Sequence, residues 1–413
     1  MTPSFRVLLA PLAVGFRAGV AVRHFAYHHG WLKTRRLQRP VVSVGNLTVG
    51  GTGKTPLVAL VARALAKQGW KPAILTRGYG RSRSGGQSGG RSRGRSGEVI
   101  ALDPGVVAAS GAAPVPCSLF PVPCSLDPGV VAAGGAAPVP CSLDRADPRA
   151  VGDEPALLAR ALPDVPIVVS ADRYRAGRLA ESRFGATVHL LDDGFQHLAL
   201  ARDVDIVALD ATVKLSDWAL LPAGRQREPC SALARADMVV LTRTELADPL
   251  PLENRVRAIN PRAPIFHARS KLCGLVDVST GERHPPTAFE GKPDQAFWAF
   301  CALGNPRAFF ADLRAWGFLV QGETAFRDHH VYGSAELFEL ESRAGKAGAA
   351  ALLTTEKDAM NLLPGAMFRL KVFACVIETE LREAQAFEEA LAARLAGHTV
   401  AIARSPDDSM EEI

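Results

Sequence analysis

Short apolar runs alternate with helix-length segments along most of the chain after Pro40. The runs consist mainly of Val, Leu, Ile and Ala, which is typical of strands buried on both faces of a parallel sheet. A helix is predicted over 54–68, directly after the first strand. The predicted strands are 41–45, 73–77, 166–170, 187–193, 204–210, 238–242, 298–303, 350–355 and 370–377. The pattern therefore predicts an α/β fold with a mainly parallel sheet.

One segment interrupts this alternation. Residues 81–97 are almost entirely Gly, Ser and Arg, and residues 102–119 recur as 126–143 with one change. Two copies rich in Pro, Gly and Ala cannot stack into a stable repeat array. We therefore predict that 81–148 is a flexible, low-complexity surface insertion.

The first 39 residues predict an amphipathic helix that lies in a membrane interface. The longest uncharged apolar stretch, 7–16, is about half of what spans a bilayer, and Arg17 ends it. On a helical wheel the basic side chains fall on one side and the apolar ones on the others. The basic set is Arg6, Arg17, His24, His28 and Arg35. Such a helix would turn basic groups toward lipid phosphates. The alternative is a helix packed on the domain, and Pro11 is expected to limit its extension toward the N-terminus.

The charge distribution also indicates an anionic partner. The chain has 48 Lys and Arg against 42 Asp and Glu, and no acidic residue precedes Glu98. Phosphate groups, a membrane surface and nucleic acid are the candidate partners. Nucleic acid is disfavoured because no aromatic platform or reading helix accompanies the basic residues. The seven cysteines form no CxxC or CxxH pair, which argues against a zinc site or a disulfide framework and favours a cytoplasmic compartment.

The strongest chemical signal is a glycine-rich loop between the first strand and the first helix, the order that a phosphate-binding loop requires. Its inward N–H groups and the helix N-terminus would bind ATP phosphates. Lys54 is expected to reach the β- and γ-phosphates, and Thr55 to ligate Mg²⁺. The predicted ATP-binding residues are Thr48, Val49, Gly50, Gly51, Thr52, Gly53, Lys54 and Thr55.

Acidic residues supply the next candidates. Asp192 and Asp193 end a predicted strand, where P-loop NTPases hold magnesium, although Asp-Asp-Gly is also an ordinary turn. Asp153 precedes a helical run, and its alternative role is that of an acidic residue in the first helical turn. His329 lies in Asp-His-His, for which an exposed turn is the alternative.

Together these segments resemble the tetraacyldisaccharide 4'-kinase family of lipid A biosynthesis. The matching segments are 44–56, 77–80, 152–155, 192–197, 221–225, 227–229, 328–329 and 355–358. The resemblance implies transfer of the ATP γ-phosphate to the 4'-hydroxyl of a tetraacylated disaccharide 1-phosphate. It also implies a peripheral or monotopic protein at the cytoplasmic face of the bacterial inner membrane, with no protein partner. The implied domains are the membrane-associated region 1–39, a P-loop core at 40–285, a smaller α/β domain at 286–400 and a tail at 401–413.

Residue roles follow from the same resemblance. Asp153 matches the family's catalytic Asp and His329 the His paired with it, while Asp192 and Asp193 match its magnesium-associated acids. Asp153, oriented by His329, would accept the hydroxyl proton while Lys54 and Mg²⁺ stabilise the transferred phosphoryl group. The residues that resemble the family's substrate-site residues are Tyr79, Arg173, Gln196 and Arg225.

Two other functions compete with a lipid kinase. A membrane-associated partitioning ATPase would have a signature lysine where this chain has Val49. A nucleotide-dependent membrane adaptor would bind ATP without phosphorylating lipid, and the sequence leaves this alternative open.

Overall fold

The computed structural model describes residues 3–78, 99–102, 151–289, 295–362 and 368–402. The strands are β1 Val41–Asn46, β2 Pro72–Thr76, β3 Val99–Leu102, β4 Ile167–Ser170, β5 Val188–Asp192, β6 Val204–Asp210, β7 Met238–Thr242, β8 Ile265–Asp277, β9 Arg283–His284, β10 Phe297–Cys301, β11 Val320–Ala325, β12 Ala351–Thr355 and β13 Lys371–Leu381. The α-helices are α1 Pro3–His28, α2 Lys54–Lys67, α3 Asp153–Ala161, α4 Arg173–Phe184, α5 Leu250–Ile259, α6 Pro306–Ala315, α7 Ser334–Lys346, α8 Glu356–Ala359 and α9 Ala384–Ile402.

The described strands form one continuous sheet in the order β11-β10-β12-β13-β8-β7-β6-β1-β5-β2-β4-β3, with β9 paired to β8. The strands β8, β7, β6, β1, β5, β2 and β4 are parallel to one another. Strands β11, β10, β12 and β13 are also mutually parallel, and β13 is antiparallel to β8. We call β3, β4, β2, β5, β1, β6 and β7 the N-terminal half of the sheet, and β13, β12, β10 and β11 the C-terminal half. Strand β8 joins the two halves.

The predicted α/β fold is confirmed, and its central strands are buried on both faces. Every residue of β1, β2, β5, β6 and β7 is buried. Side chains of β1 pack with Leu57, Val61 and Leu65 of α2 in the largest apolar cluster. Burial on both faces explains why these strands are continuous apolar runs.

Two strands that the sequence pattern did not predict have sequences unlike such runs. Strand β11, Val-Gln-Gly-Glu-Thr-Ala, lies at the edge of the sheet and is only partly buried. Strand β8 carries charged residues in its middle and alternates in burial. Edge and partly exposed strands do not need an apolar run, so the pattern does not reveal them.

The prediction of a structureless insertion over 81–148 is wrong at Val99–Leu102. This four-residue apolar run forms β3, which pairs antiparallel with β4 at the edge of the sheet. Three of its four residues are buried. The apolar run provides both a pairing edge and buried side chains, which outweigh its Gly- and Ser-rich context. The rest of the predicted insertion falls largely outside the described residues.

The first helix differs from its prediction in three ways. Helix α1 runs through Pro11 back to Pro3, so Pro11 does not stop it. The helix ends at His28, and Arg35 lies beyond it in an isolated bridge with Leu200. The basic stripe does not face outward throughout, because the His24 ring bonds Glu228 Oε1 at 2.9 Å. Large apolar side chains are exposed instead on this helix and just after it: Leu12, Val14, Val22, Phe25, Trp31 and Leu32.

No helix in the described part of the chain is both long enough and apolar enough to cross a membrane.

The division into a core at 40–285 and a smaller domain at 286–400 stays a prediction. Helix α9 qualifies it, because Phe387, Leu391 and Leu395 pack in the same apolar cluster as α2. Lys67 and Gln68, at the end of α2, also bond to Glu388. The C-terminal helix thus packs against the N-terminal half of the sheet.

Candidate active site

The predicted phosphate loop connects β1 to α2 at the carboxyl edge of the sheet. Gly50 and Gly53 adopt positive φ angles of 111° and 75°. Glycine adopts this backbone readily because it lacks a Cβ atom. Gly53 directly precedes Lys54, the first residue of α2. The loop therefore leads into a helix N-terminus, whose partial positive charge favours phosphate groups.

Neighbouring strands fix the shape of this loop. The side-chain amide of Asn46 donates a 2.9 Å hydrogen bond to Thr52 Oγ1. At the end of β7, the Thr242 hydroxyl donates to the Thr52 carbonyl at 3.0 Å, and Arg243 Nη1 donates to the Gly51 carbonyl at 2.9 Å. The loop is therefore anchored to β1 on one side and to β7 on the other.

Arg225 lies across the start of the loop. Its Nε donates to the Val49 carbonyl at 3.1 Å and its Nη2 to the Gly304 carbonyl at 2.7 Å. The Val49 N–H donates to the Arg225 carbonyl at 2.7 Å, so this N–H is already paired with protein. The positive φ of Gly50 favours glycine there, and a Cβ at this position would also displace the Arg225 guanidinium, 2.0 Å away. Arg225 thus connects the loop to the turn between β10 and α6.

Asp193 sits between two cations beside the loop. Its Oδ1 lies 3.4 Å from Lys54 Nζ, and its Oδ2 accepts a 2.5 Å hydrogen bond from Arg227 Nη1. Burial alone would raise the pKa of Asp193, but Lys54 and Arg227 together lower it. The carboxylate is therefore ionised, and it holds the Lys54 ammonium at the mouth of the loop.

Asp192 has a different surrounding from its neighbour, because carboxylates dominate the electrostatics around it. It is buried and accepts a 3.0 Å hydrogen bond from Thr76 Oγ1. Burial, with the nearby carboxylates of Glu154 and Asp193, raises the pKa of Asp192 to about 7. A buried carboxylate in such an acidic surrounding is one that a divalent cation would stabilise. Asp192 could therefore serve as a magnesium ligand together with phosphate oxygens, the arrangement usual for Mg²⁺, and the roles of Thr55 and Asp192 in such a site stay predictions.

A second cluster lies next to this edge and joins the two halves of the sheet. Asp153 is the first residue of α3, and its Oδ1 accepts the Glu154 N–H at 2.9 Å. Its Oδ2 lies 2.8 Å from Nδ1 of His329, which is 176 residues away in the chain. His329 adopts a positive φ of 59°. The hydrogen bond to Asp153 raises the pKa of His329. The predicted Asp153–His329 pair is thus present as a part-buried, charge-assisted contact.

Lys357, to which sequence analysis assigned no role, belongs to the same cluster. Its Nζ lies 3.5 Å from Asp153 Oδ2 and 3.3 Å from Asp328 Oδ1. Burial would lower the pKa of Lys357, but Asp153, Glu154 and Asp328 raise it. The segment 355–358 contributed to the family resemblance, but its distance in sequence from Asp153 concealed this contact.

The four residues predicted to bind substrate fall in three places. Arg173 and Gln196 line a cleft of about 690 Å³ that also includes Asp193 and reaches Phe16 and Val20 of α1. Arg225 lies on the phosphate loop, outside this lining. Tyr79 falls outside the described residues. The cleft is also lined by Arg23, Arg77 and Arg227, of which Arg23 was not among the predicted phosphate- or sugar-binding segments.

A phosphate loop after the first buried strand, with a buried carboxylate at the end of the neighbouring strand, defines the protein as a P-loop nucleotide-binding protein. The chain belongs to the tetraacyldisaccharide 4'-kinase family, since the model of that family, described as Tetraacyldisaccharide-1-P 4'-kinase (LpxK), matches residues 5–98 and 128–396. Residues 99–127, which overlap the duplicated segment, lie outside the match.

Relatives of known name agree with this assignment. The chain is 38% identical over 385 residues to the tetraacyldisaccharide 4'-kinase of Geobacter metallireducens, covering 93% of this chain and 96% of the relative. The corresponding protein of Pelobacter propionicus is 34% identical over 356 residues, covering 86% of this chain and 83% of the relative. Among solved structures, LpxK from Aquifex aeolicus in complex with ATP matches with a TM-score of 0.64 and 28% identity, covering 94% of this chain and 99% of that one.

Proposed function

We propose that the protein transfers the γ-phosphate of ATP to the 4'-hydroxyl of a tetraacylated disaccharide 1-phosphate. The observation that carries this proposal is the proximity of a phosphate loop to the Asp153–His329 pair. Glu154, which directly follows Asp153, acts electrostatically on Asp192 at the edge beside the loop. Phosphate binding and proton acceptance would therefore occur side by side, as phosphoryl transfer to an alcohol requires.

ATP would bind with its phosphates over the N-terminus of α2. Gly50, Gly51 and Gly53 let the backbone curl around the phosphates, and Lys54 contributes a positive charge. Magnesium, held by Thr55 and Asp192, would neutralise charge on the β- and γ-phosphates. Arg227 bonds to the Asp193 carboxylate, whose other oxygen lies 3.4 Å from Lys54 Nζ, so this carboxylate holds the Lys54 ammonium beside the loop. The magnesium role of Asp193 remains a prediction.

The Asp153–His329 pair would orient the attacking hydroxyl and take its proton. Burial alone would raise the pKa of Asp153, but the hydrogen bond from His329 and the charge of Lys357 lower it. A weakly basic carboxylate suffices for this reaction, because phosphoryl transfer passes through a loose transition state in which positioning matters most. Asp153 accepts the proton in this scheme, and His329 holds the carboxylate in place.

The acceptor sugar would enter the cleft lined by Arg173 and Gln196. Gln196 Nε2 donates to the Asn46 carbonyl at 2.8 Å, which ties this wall to the start of the phosphate loop. Burial and the charges of Arg173, Arg202 and Arg23 lower the pKa of His197 in the same wall to about 4. The cleft is thus electropositive, as an anionic acceptor lipid requires.

The acyl chains would extend along α1 at the cytoplasmic face of the inner membrane. Arg23 Nη2 donates to the Gln196 carbonyl at 3.0 Å, so α1 forms one wall of the cleft. The exposed apolar side chains on and just after this helix suit peripheral contact with the interface. Substitution of Phe25, Trp31 and Leu32 together by Ser should lower binding to anionic vesicles about tenfold or more. Leu250→Ser, at an exposed apolar position on α5, is the matched control and should leave vesicle binding unchanged.

The activity is tested with detergent-solubilised protein, γ-labelled ATP, Mg²⁺ and tetraacyldisaccharide 1-phosphate. We expect label in the lipid, attached at the 4' position. ATP binding without labelled lipid would contradict the proposal and favour the nucleotide-dependent membrane adaptor.

A further inference from the structure

We propose that Lys357 is a positioning residue for phosphoryl transfer, which holds the Asp153 carboxylate in its working orientation opposite His329. The proposal rests on the proposed function, because Asp153 acts there as the proton acceptor. Lys357 approaches the same carboxylate oxygen, Oδ2, that contacts His329 Nδ1. One oxygen of Asp153 therefore faces two cationic side chains that both come from the C-terminal part of the chain.

The surroundings of Lys357 favour a fixed position over a mobile surface contact. Its side chain is 14% exposed, against 4% for Asp153. Asp328 Oδ1 lies 3.3 Å from Lys357 Nζ and 3.8 Å from His329 Nε2, so it contacts both cations. The four charges alternate as Asp328, Lys357, Asp153 and His329. Asp153 and Lys357 are the largely buried members of this alternating group, and a buried ion pair has few competing arrangements.

One buried carboxylate sets the relative position of the two cations. Asp358, next to Lys357, accepts hydrogen bonds from Tyr332 OH at 2.9 Å and from the Ala302 N–H at 2.8 Å. Thr355 Oγ1 donates to Asp358 at 2.6 Å and caps α8 by accepting the Asp358 N–H. Tyr332 lies three residues after His329, so Asp358 ties the His329 loop to the turn that carries Lys357. This anchoring places both cations on Asp153 together.

Loss of Lys357 would leave Asp153 in an unfavourable electrostatic surrounding. Among the described residues, His329 and Lys357 act electrostatically on Asp153, and Glu154 and Asp328 act on Lys357. Without the ammonium, the two neighbouring carboxylates would oppose ionisation of Asp153, with His329 alone to compensate. The carboxylate would then take up a proton at a higher pH and rotate more freely. Transfer would slow, whereas ATP binding, which uses the phosphate loop, would be preserved.

The test compares Lys357→Met with Lys371→Met, a change at a lysine that is 68% exposed and pairs with Asp277 away from the cluster. We expect Lys357→Met to reduce lipid phosphorylation about 10- to 100-fold, the usual effect of losing a supporting partner. The acid limb of its pH–rate profile should move up by about one pH unit. ATP affinity should be unchanged, and Lys357→Arg should recover most of the lost rate. In an Asp153→Asn background, Lys357→Met should add little further loss, because the two residues act as a unit.

The results separate this inference from the proposed function. A wild-type protein that labels no lipid contradicts the function itself. An active wild type, together with a Lys357→Met variant whose rate and acid limb match those of Lys371→Met, overturns the inference. The inference is also overturned if the rate losses of Asp153→Asn and Lys357→Met multiply when the two changes are combined. If Lys357→Met fails to fold, as judged by its thermal unfolding and ATP affinity, Lys357→Gln gives the same readouts with a polar side chain of similar length.

Discussion

The phosphate loop and the Asp153 cluster are assembled in different ways. All loop residues from Thr48 to Thr55 are contiguous, and their conformation follows from two glycines and a helix start. The Asp153 cluster draws on three separate segments, and its main hydrogen bond joins residues 176 positions apart. The first region therefore depends on local backbone geometry, whereas the second requires the two halves of the sheet to be correctly joined. Substitutions in the two regions should therefore change ATP binding, phosphorylation rate and stability in different ways.

The largest effect is expected at the local site. Lys54→Ala removes the ammonium at the phosphate loop and should reduce lipid phosphorylation about 1,000-fold, the usual scale for losing one charge-stabilising donor. Lys67→Ala is the matched control, because Lys67 is 70% exposed in the last turn of the same helix. Its phosphorylation rate should stay within about twofold of wild type. A Lys54→Ala variant as active as the control would rule out phosphate contact by this lysine.

The next effect tests how the phosphate loop contacts the turn after β10, in the C-terminal half of the sheet. A Cβ on Gly304 would lie 2.2 Å from the Gly51 nitrogen and 2.5 Å from the Gly50 Cα. Either the phosphate loop or the turn after β10 must then move, so Gly304→Ala should weaken ATP binding about tenfold. Gly345→Ala, where a Cβ meets nothing within 4 Å, should leave the dissociation constant unchanged. Equal ATP affinity in both variants would show that the loop tolerates displacement of its neighbour.

The charged Asp153–His329 pair in the Asp153 cluster should make the stability of the protein depend on pH. The pKa of His329 is raised in the folded protein, so its bond to Asp153 contributes full stability below about pH 6.5 and loses it as the pH rises through the folded value. The contribution of Asp153 stays constant over this range, because the pKa of that carboxyl is lowered. The unfolding midpoint of His329→Gln should therefore fall further below wild type at pH 6 than at pH 9. A difference that is the same at both pH values would exclude the charged pair.

The smallest effect is expected at Tyr332, which stabilises the Asp153 cluster through its hydrogen bond to Asp358. Tyr332→Phe removes the hydroxyl that donates to the buried Asp358 carboxylate. The free energy of unfolding should fall by about 1–2 kcal/mol, as measured by denaturant titration. Turnover should fall only a few-fold, because Thr355 and the Ala302 N–H still hold Asp358. A loss as large as that of Lys54→Ala would mean that Tyr332 acts directly in the reaction.

The same contrast explains how much could be predicted from sequence. The apolar runs predicted the central strands, and the phosphate loop was recognised because its residues are contiguous. Strand β8 was missed because its middle is charged, and β3 because low-complexity sequence surrounds it. Asp153 and His329 were candidates from their sequence contexts, but their pairing was predicted only from the family resemblance, and the contact of Lys357 with Asp153 required the structure. Local geometry is encoded in neighbouring residues, whereas a cluster built across a sheet leaves no periodic pattern.

The central claim is that ATP binding and proton acceptance belong to these two different regions. Its most direct test measures the ATP dissociation constant and the single-turnover rate of lipid phosphorylation for wild type and Asp153→Asn. We expect equal ATP affinity in both proteins, with a phosphorylation rate about 100-fold lower in Asp153→Asn. A variant that loses ATP binding, or one that phosphorylates lipid at the wild-type rate, would contradict the account.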